Sequence, residues 1–289
     1  MTARPDIIET LRHHLQDRGL SGPGTEWIPL KDGRTNMVWR LKTAAQDHLV
    51  CKFSPRDRGT PLFPNLPATE AALLRHLEPT ALAPELVHAE EIGAGHCLVY
   101  RHVAGGAGLA TPRDLRVALE RLHRHQIPRG LRQLDLTADA LLESGDAMLE
   151  QVEQSMKHSL RARRPRPRVV PTGDDSLLHG DPVPGNVVAT AGGARFIDWQ
   201  CPARGDPVFD YAIALSPAMR VLHCGTPLSN AERDILLADP RLAARFDLAE
   251  PFLLWRMAVY CAWRISRGVA AYRPALQAEL DRLDQCSEP

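Results

Sequence analysis

The run Ala104-Gly105-Gly106-Ala107-Gly108 divides the chain into two unlike parts. Three glycines in five residues break any helix or strand that reaches them. Before the run, apolar segments are short, rich in β-branched and aromatic residues, and bounded by turns, which is the pattern of strands. Beyond it, apolar residues recur at helical spacing. The chain is expected to be an α+β protein of two lobes. A small antiparallel β-rich lobe takes residues 1–103, and a larger, mainly helical lobe takes 104–289.

In the first lobe Ile7, Ile8, Leu11 and Leu15 share one helical face over 5–18, with Gly19 as the stop. Residues 27–30 and 37–41 flank the polar turn 31–36, where Asp32-Gly33 signals a hairpin. Residues 48–53 read as a third strand, with Val50 and Lys52 on one face and Cys51 and Phe53 on the other. A helix is expected over 68–77 with Thr69 as its N-cap, then two strands over 86–91 and 97–100. In the second lobe 112–125 is amphipathic, 136–160 reads as one helical stretch, and 161–168 as a basic, proline-broken connector.

Composition removes several classes of function. Lys and Arg total 35 and so do Asp and Glu, so nothing draws the chain to nucleic acid or an anionic membrane. With 44% hydrophobic residues it is not a disordered chain. No apolar run approaches the ~20 residues that span a bilayer. The start of the sequence shows no signal-like apolar segment, and the six cysteines form no C-x-x-C pair. A cytoplasmic protein with reduced thiols is expected.

The chemistry concentrates in His179-Gly180-Asp181-Pro182-Val183-Pro184-Gly185-Asn186, followed by Ile197-Asp198-Trp199 and then Gly205-Asp206-Pro207-Val208-Phe209-Asp210. Phosphoryl transfer asks a protein for positioning, for metal ions and for a carboxylate that accepts the hydroxyl proton. Asp181 is a loop carboxylate that can face an alcohol. Asn186 offers a neutral oxygen, and Asp198 a hard anionic one, both suited to Mg²⁺. A hairpin turning at Gly192-Gly193 can return Asp198 beside Asn186. His-Gly-Asp followed by Asn five residues later arises by chance in roughly one chain of this length in five hundred.

From about Trp27 to about Arg267 the sequence resembles the aminoglycoside phosphotransferase and choline kinase-like superfamily, whose fold is protein-kinase-like. The resemblance implies a kinase dependent on ATP and Mg²⁺ that phosphorylates a hydroxyl of a small alcohol. The acceptor would be choline or another amino-alcohol, a sugar or an aminoglycoside. Asp181 would be the catalytic base, and Asn186 and Asp198 would hold the metal. Lys52 would clamp phosphate with Glu70 as its carboxylate partner. Gly33, Thr35 and Asn36 would face the triphosphate. The segment 98–103 would link the lobes, with main chain of Arg101, His102 and Val103 meeting adenine. Asp210 would brace the catalytic loop, Asp206 would cap the helix after it, and His179 would orient it.

The alternative is a catalytically inactive kinase-like nucleotide-binding or scaffold protein. The presence of Lys52, Glu70, Asp181, Asn186 and Asp198 together argues against it. A protein kinase is disfavoured because only six residues separate Asp198 from Gly205, too few for an activation segment. For the acceptor, the sequence from Arg220 onward is not notably acidic, which disfavours a polycationic antibiotic. A cationic amino-alcohol would need an aromatic cage, for which Trp199, Trp255, Tyr260 and Trp263 are the candidates. Trp255, Val259 and Trp263 also fall at the spacing of a core-facing helical stripe. Two positions depart from the choline kinase pattern: Gly180 stands where many carry Asn, and Gln200 where many carry Glu.

Overall fold

The computed structural model describes residues 5–30, 35–42, 48–56, 58–93 and 95–287. It divides into two compact units. Unit one comprises residues up to Ala104 together with Trp199–Cys201. Unit two comprises Gly105–Asp198 and the chain from Pro202 onward.

Unit one contains α1 (Pro5–Asp17), β1 (Glu26–Pro29), β2 (Met37–Lys42), β3 (His48–Pro55), α2 (Pro67–Leu77), β4 (Leu86–Ile92) and β5 (Gly95–Arg101). The strands form one sheet in the order β1-β2-β3-β5-β4, antiparallel throughout. Strand alternation sorts the side chains. Met37, Trp39 and Leu41 from β2, Cys51 and Phe53 from β3, and Cys97 and Val99 from β5 pack with Leu11 and Leu15 of α1 into one core. Lys52, paired in register with Val38 and Leu98, points to the other face. The hairpin β1–β2 closes through a connection longer than two residues, and Asp32-Gly33 lies outside the described residues.

α2 begins earlier than expected. Pro67 occupies its first turn, where a fixed φ and a missing N–H cost nothing, and no side chain caps it. Thr69 is therefore inside the helix and is not its N-cap. The N–H of Leu66 is accepted by the carbonyl of Gln200 at 3.1 Å.

Unit two contains β6 (Gly106–Ala107), α3 (Pro112–His123), β7 (Arg132–Gln133), α4 (Ala138–Leu149), α5 (Gln154–Ala162), β8 (Ser176–Leu178), β9 (Val187–Thr190), β10 (Gly193–Phe196), β11 (Ala203–Gly205), α6 (Val208–Leu215), α7 (Pro217–Cys224), α8 (Asn230–Leu236), α9 (Pro240–Ile265) and α10 (Tyr272–Ser287). Its short strands form two small sheets, β10-β9-β6 and β7-β11-β8. Thr111 and Asp114 start α3 with a reciprocal capping box.

The expected single helix over 136–160 is two helices, α4 and α5. Tertiary contacts break it: Ser266 Oγ accepts the N–H of Glu153 at 2.9 Å, and Arg267 holds the Gln151 side chain at 2.6 Å. The axis of the unit is α9, whose buried residues include Leu253, Trp255, Ala258, Val259 and Ala262. Helix α4 approaches it closely at Gly145, where an added Cβ would stand 2.2 Å from the Trp255 ring. Among the described residues no helix is long and apolar enough to cross a membrane.

Candidate active site

In unit one the site begins with Lys52. Its ammonium lies 2.8 and 2.6 Å from the two Glu70 carboxylate oxygens, and both residues are 1% exposed. A buried ammonium without a counter-charge would cost several kcal/mol, so the pair is what lets a lysine occupy a central strand. Glu70 comes from the first turn of α2, eighteen positions along the chain. The result is a cation fixed on a rigid strand, suited to an anionic ligand such as phosphate.

The neighbouring expectations fare differently. Gly33 lies outside the described residues. Thr35 is described, two residues before β2. Asn36 departs from the expected phosphate-facing role. It is 6% exposed, its amide nitrogen donates to Gln200 Oε1 at 2.9 Å, and its amide oxygen accepts from Asn65 at 2.9 Å. Both ends of the amide serve the packing of unit one. Nothing in the local sequence marked Asn65 or Gln200 as its partners.

At the end of β5 the main chain is partly committed. The N–H of Arg101 is accepted by Glu85 O at 2.9 Å and that of His102 by His48 O at 2.7 Å. Of the three residues expected to meet adenine, only Val103 has an N–H that no backbone carbonyl of the described residues accepts. The Arg101 side chain is half exposed and pairs with Glu85 at 3.1 Å.

In unit two the loop after β8 carries the second half of the motif. Asp210, wholly buried on α6, accepts the N–H of His179 at 3.0 Å and of Gly180 at 2.8 Å. A carboxylate that accepts main-chain N–H groups fixes the loop rather than one side chain. Gly180 has φ +81°, a left-handed conformation that glycine adopts without strain. His179 is buried, with Nδ1 accepting the N–H of Asp181 at 3.2 Å and Nε2 reaching Ile197 O at 3.1 Å. Those partners assign the neutral tautomer with its proton on Nε2. One residue here escaped the sequence reading: His123 of α3 meets Asp210 Oδ2 at 2.9 Å. Asp206 starts α6 by accepting the Val208 N–H at 2.9 Å, and it pairs with Arg245 at 3.1 Å.

Asn186 donates its amide nitrogen to the Asp181 carbonyl at 2.9 Å and to the Asp181 carboxylate at 3.2 Å. That leaves the amide oxygen for a cation. Strands β9 and β10 then return the chain, and the Ile197 N–H bonds Asn186 O at 2.9 Å. Asp198 follows at once in a left-handed backbone, φ +63°, which a non-glycine residue adopts at a cost of order 1 kcal/mol and which Asp tolerates better than most. The main chain thus places Asp198 next to the strand partner of Asn186, and an amide oxygen and a carboxylate are hard oxygen donors of the kind that suits Mg²⁺.

The aromatic candidates are core. Trp199 and Trp255 have no exposed surface, Tyr260 has 2% and Trp263 has 8%. Trp255 donates its indole N–H to Leu160 O at 2.8 Å, and Arg164 covers its ring. Trp263 stacks on Tyr260 and carries the Arg267 guanidinium 3.6 Å from its centroid. All four are buried, and Trp255 and Trp263 already carry the protein's own guanidinium groups, which corrects their reading as a cage for a cationic acceptor. A separate buried acid, Glu279 of α10, accepts from Ser216 Oγ and from the Ala218 N–H at 3.0 Å. Burial pushes its carboxyl up to about 7.

Comparison with known proteins points one way. Residues 26–250 match the model of a family described as the phosphotransferase enzyme family. A choline/ethanolamine kinase family protein from Mesorhizobium loti has a similar structure over 98% of this chain and 95% of its own, with TM-score 0.68 at 18% identity. The choline kinase LicA from Streptococcus pneumoniae is similar over 96% of this chain and 99% of its own, with TM-score 0.65 at 16% identity. An aminoglycoside phosphotransferase from Streptomyces rimosus, solved with ADP and streptomycin, is similar over 89% of this chain and 99% of its own, with TM-score 0.55 at 18% identity. No curated protein sequence matches the chain. The fold is the kinase-like fold of these neighbours.

Proposed function

The chain belongs to the phosphotransferase enzyme family, and on that premise we propose that it transfers the γ-phosphoryl group of ATP to a hydroxyl of a small alcohol. The observation that carries this reading is the loop braced by Asp210, which holds Asp181 at the head of a hydrogen-bonded turn ending in Asn186.

In this reading Asp181 accepts the proton of the acceptor hydroxyl as its oxygen bonds to the γ-phosphorus. The bond from that phosphorus to the bridging oxygen breaks, and ADP leaves. Asn186 orients the Asp181 carboxylate through its amide nitrogen. Mg²⁺, held by Asn186 and Asp198, would neutralise charge on the triphosphate. Lys52, kept charged and immobile by Glu70, pairs with phosphate oxygens. The Val103 N–H is the donor we assign to adenine. A catalytically inert nucleotide binder would not need Asp181 fixed in this manner.

The acceptor we propose is a small amino-alcohol rather than a polycationic antibiotic. Formal charge balance supports it, as does the likeness to a choline/ethanolamine kinase family protein and a choline kinase. With the buried tryptophans committed to packing, recognition of such a cation falls to other groups. The test is ADP release from Mg·ATP across choline, ethanolamine, related amino-alcohols, simple sugars and aminoglycosides. Turnover of an amino-alcohol with transfer of ³²P is the expected result. Efficient turnover of aminoglycosides alone would overturn the acceptor. Mg·ATP binding with no transfer to any alcohol would overturn the reaction.

A further inference from the structure

We propose that His14, His88 and Glu90 form a binding site for a divalent transition metal, zinc by preference, which ties α1 to the edge strand β4. The three ligand atoms converge. His14 Nε2 lies 3.3 Å from His88 Nε2 and 3.5 Å from Glu90 Oε2, and His88 Nε2 lies 3.3 Å from the same oxygen. Zinc keeps imidazole nitrogen and carboxylate oxygen at ~2.0–2.2 Å, which sets the edges of its tetrahedron at about 3.3–3.5 Å. The triangle is one face of that tetrahedron, with the fourth position left to water.

The backbone explains the convergence. His88 and Glu90 are two apart on β4 and so share a face. They pair in register with Val99 and Cys97, whose side chains lie in the core beneath α1. On α1, His14 stands between the core positions Leu11 and Leu15. Helix and strand therefore present these groups to one another on the side of the sheet opposite Lys52. The site is distinct from the phosphate chemistry.

Without a metal the arrangement is awkward. Each neutral imidazole has one N–H, and both Nε2 atoms face each other and one shared carboxylate oxygen. If both carry their proton on Nε2, the two N–H groups oppose. If one does not, its lone pair faces the carboxylate. A cation at the centre satisfies all three at once. Glu90 is also held by Arg18, whose Nε at 2.8 Å and Nη2 both donate to Oε2, fixing the position of the oxygen that the metal would share. The side chains of His14 and His88 are 13% and 19% exposed and that of Glu90 38%, so the metal has a path in.

The experiment uses tag-free, chelator-stripped full-length protein in a Cys224→Ser background, because Cys224 is an exposed thiol that could also take zinc. Zinc is titrated against a chromophoric chelator, cobalt binding is followed by its visible d–d absorption, and melting is followed with and without zinc. One zinc per chain, tetrahedral cobalt bands and a zinc-dependent rise in Tm are expected. Each of His14→Gln and His88→Gln should weaken zinc binding at least about 100-fold while leaving the metal-free Tm within a few degrees. Glu90→Gln, at the most exposed of the three positions, serves if either histidine variant fails to fold. Absence of stoichiometric binding would overturn the proposal, and so would binding that survives the substitutions. Because the readouts are binding, colour and melting, neither result depends on kinase activity.

Discussion

Lys52 and Asp181 are held in place by opposite means. Lys52 owes its position to strand register and to a side-chain ion pair with Glu70, in which both charges are buried. Asp181 sits in a loop whose own N–H groups are fastened to Asp210, which is fastened in turn to His123. There the burden is spread over neutral donors and several residues. The difference teaches that a rigid strand can position a cation through its side chain, whereas an irregular loop needs its backbone tied down.

The largest effect should separate chemistry from position. Asp181→Asn removes the proton acceptor and is expected to lower kcat by about 10³-fold, within the span of general acid–base catalysis. Mg·ATP affinity by calorimetry should change by less than about threefold. A variant with near wild-type kcat would remove Asp181 from the chemistry.

Next is the cost of breaking the buried ion pair. Glu70→Ala removes the carboxylate that holds the buried Lys52 ammonium and should destabilise the protein by about 3–5 kcal/mol in urea unfolding. The double variant Lys52→Met, Glu70→Leu should recover most of that stability, yet not nucleotide affinity. Recovery of both would show that the pair is merely structural.

Asp210→Asn tests the distributed design. It keeps one oxygen for a main-chain N–H and turns an NH₂ toward another, a loss of about 1–3 kcal/mol. The kcat should fall more than the KM for ATP rises. If this variant unfolds as readily as Glu70→Ala, the contrast between the two sites fails.

The gentlest test is a slope with pH. The Glu279 carboxyl, raised from 4.5 to about 7, is folded in its neutral form. Its contribution to stability is full below about pH 4.5 and is lost as pH rises through about 7. Wild type should therefore lose stability relative to Glu279→Gln between pH 5 and 8, as read by thermal melts. Parallel curves would place the titration elsewhere.

Much of this was legible because the chemistry is local in sequence. The alternation around Lys52 and the spacing of Asp181, Asn186 and Asp198 are set by strands and tight turns that the sequence spells out. The sheet of unit one and helices α1 and α3 were readable from periodicity for the same reason. What escaped depended on residues far along the chain. The break between α4 and α5 is made by Ser266 and Arg267, the partners of Asn36 are Asn65 and Gln200, and the partner of Asp210 is His123. The aromatic residues of α9 show the limit plainly. Period alone could not tell a cage from a core, and the arginines that cover Trp255 and Trp263 decided it.

Residues Trp199–Cys201 belong to unit one although nearly a hundred residues of unit two precede them. Gln200 gives the Asn36 amide its acceptor and the Leu66 N–H its carbonyl, and Cys201 donates to Pro64 O at 3.1 Å. A chain emerging from the ribosome therefore cannot finish its first unit when residue 104 appears. At ~5–20 residues per second the closing segment follows only after about 5–20 s. During that interval the Asn36 amide has Asn65 but not Gln200. Completion of unit one is thus timed by synthesis of most of the first half of unit two.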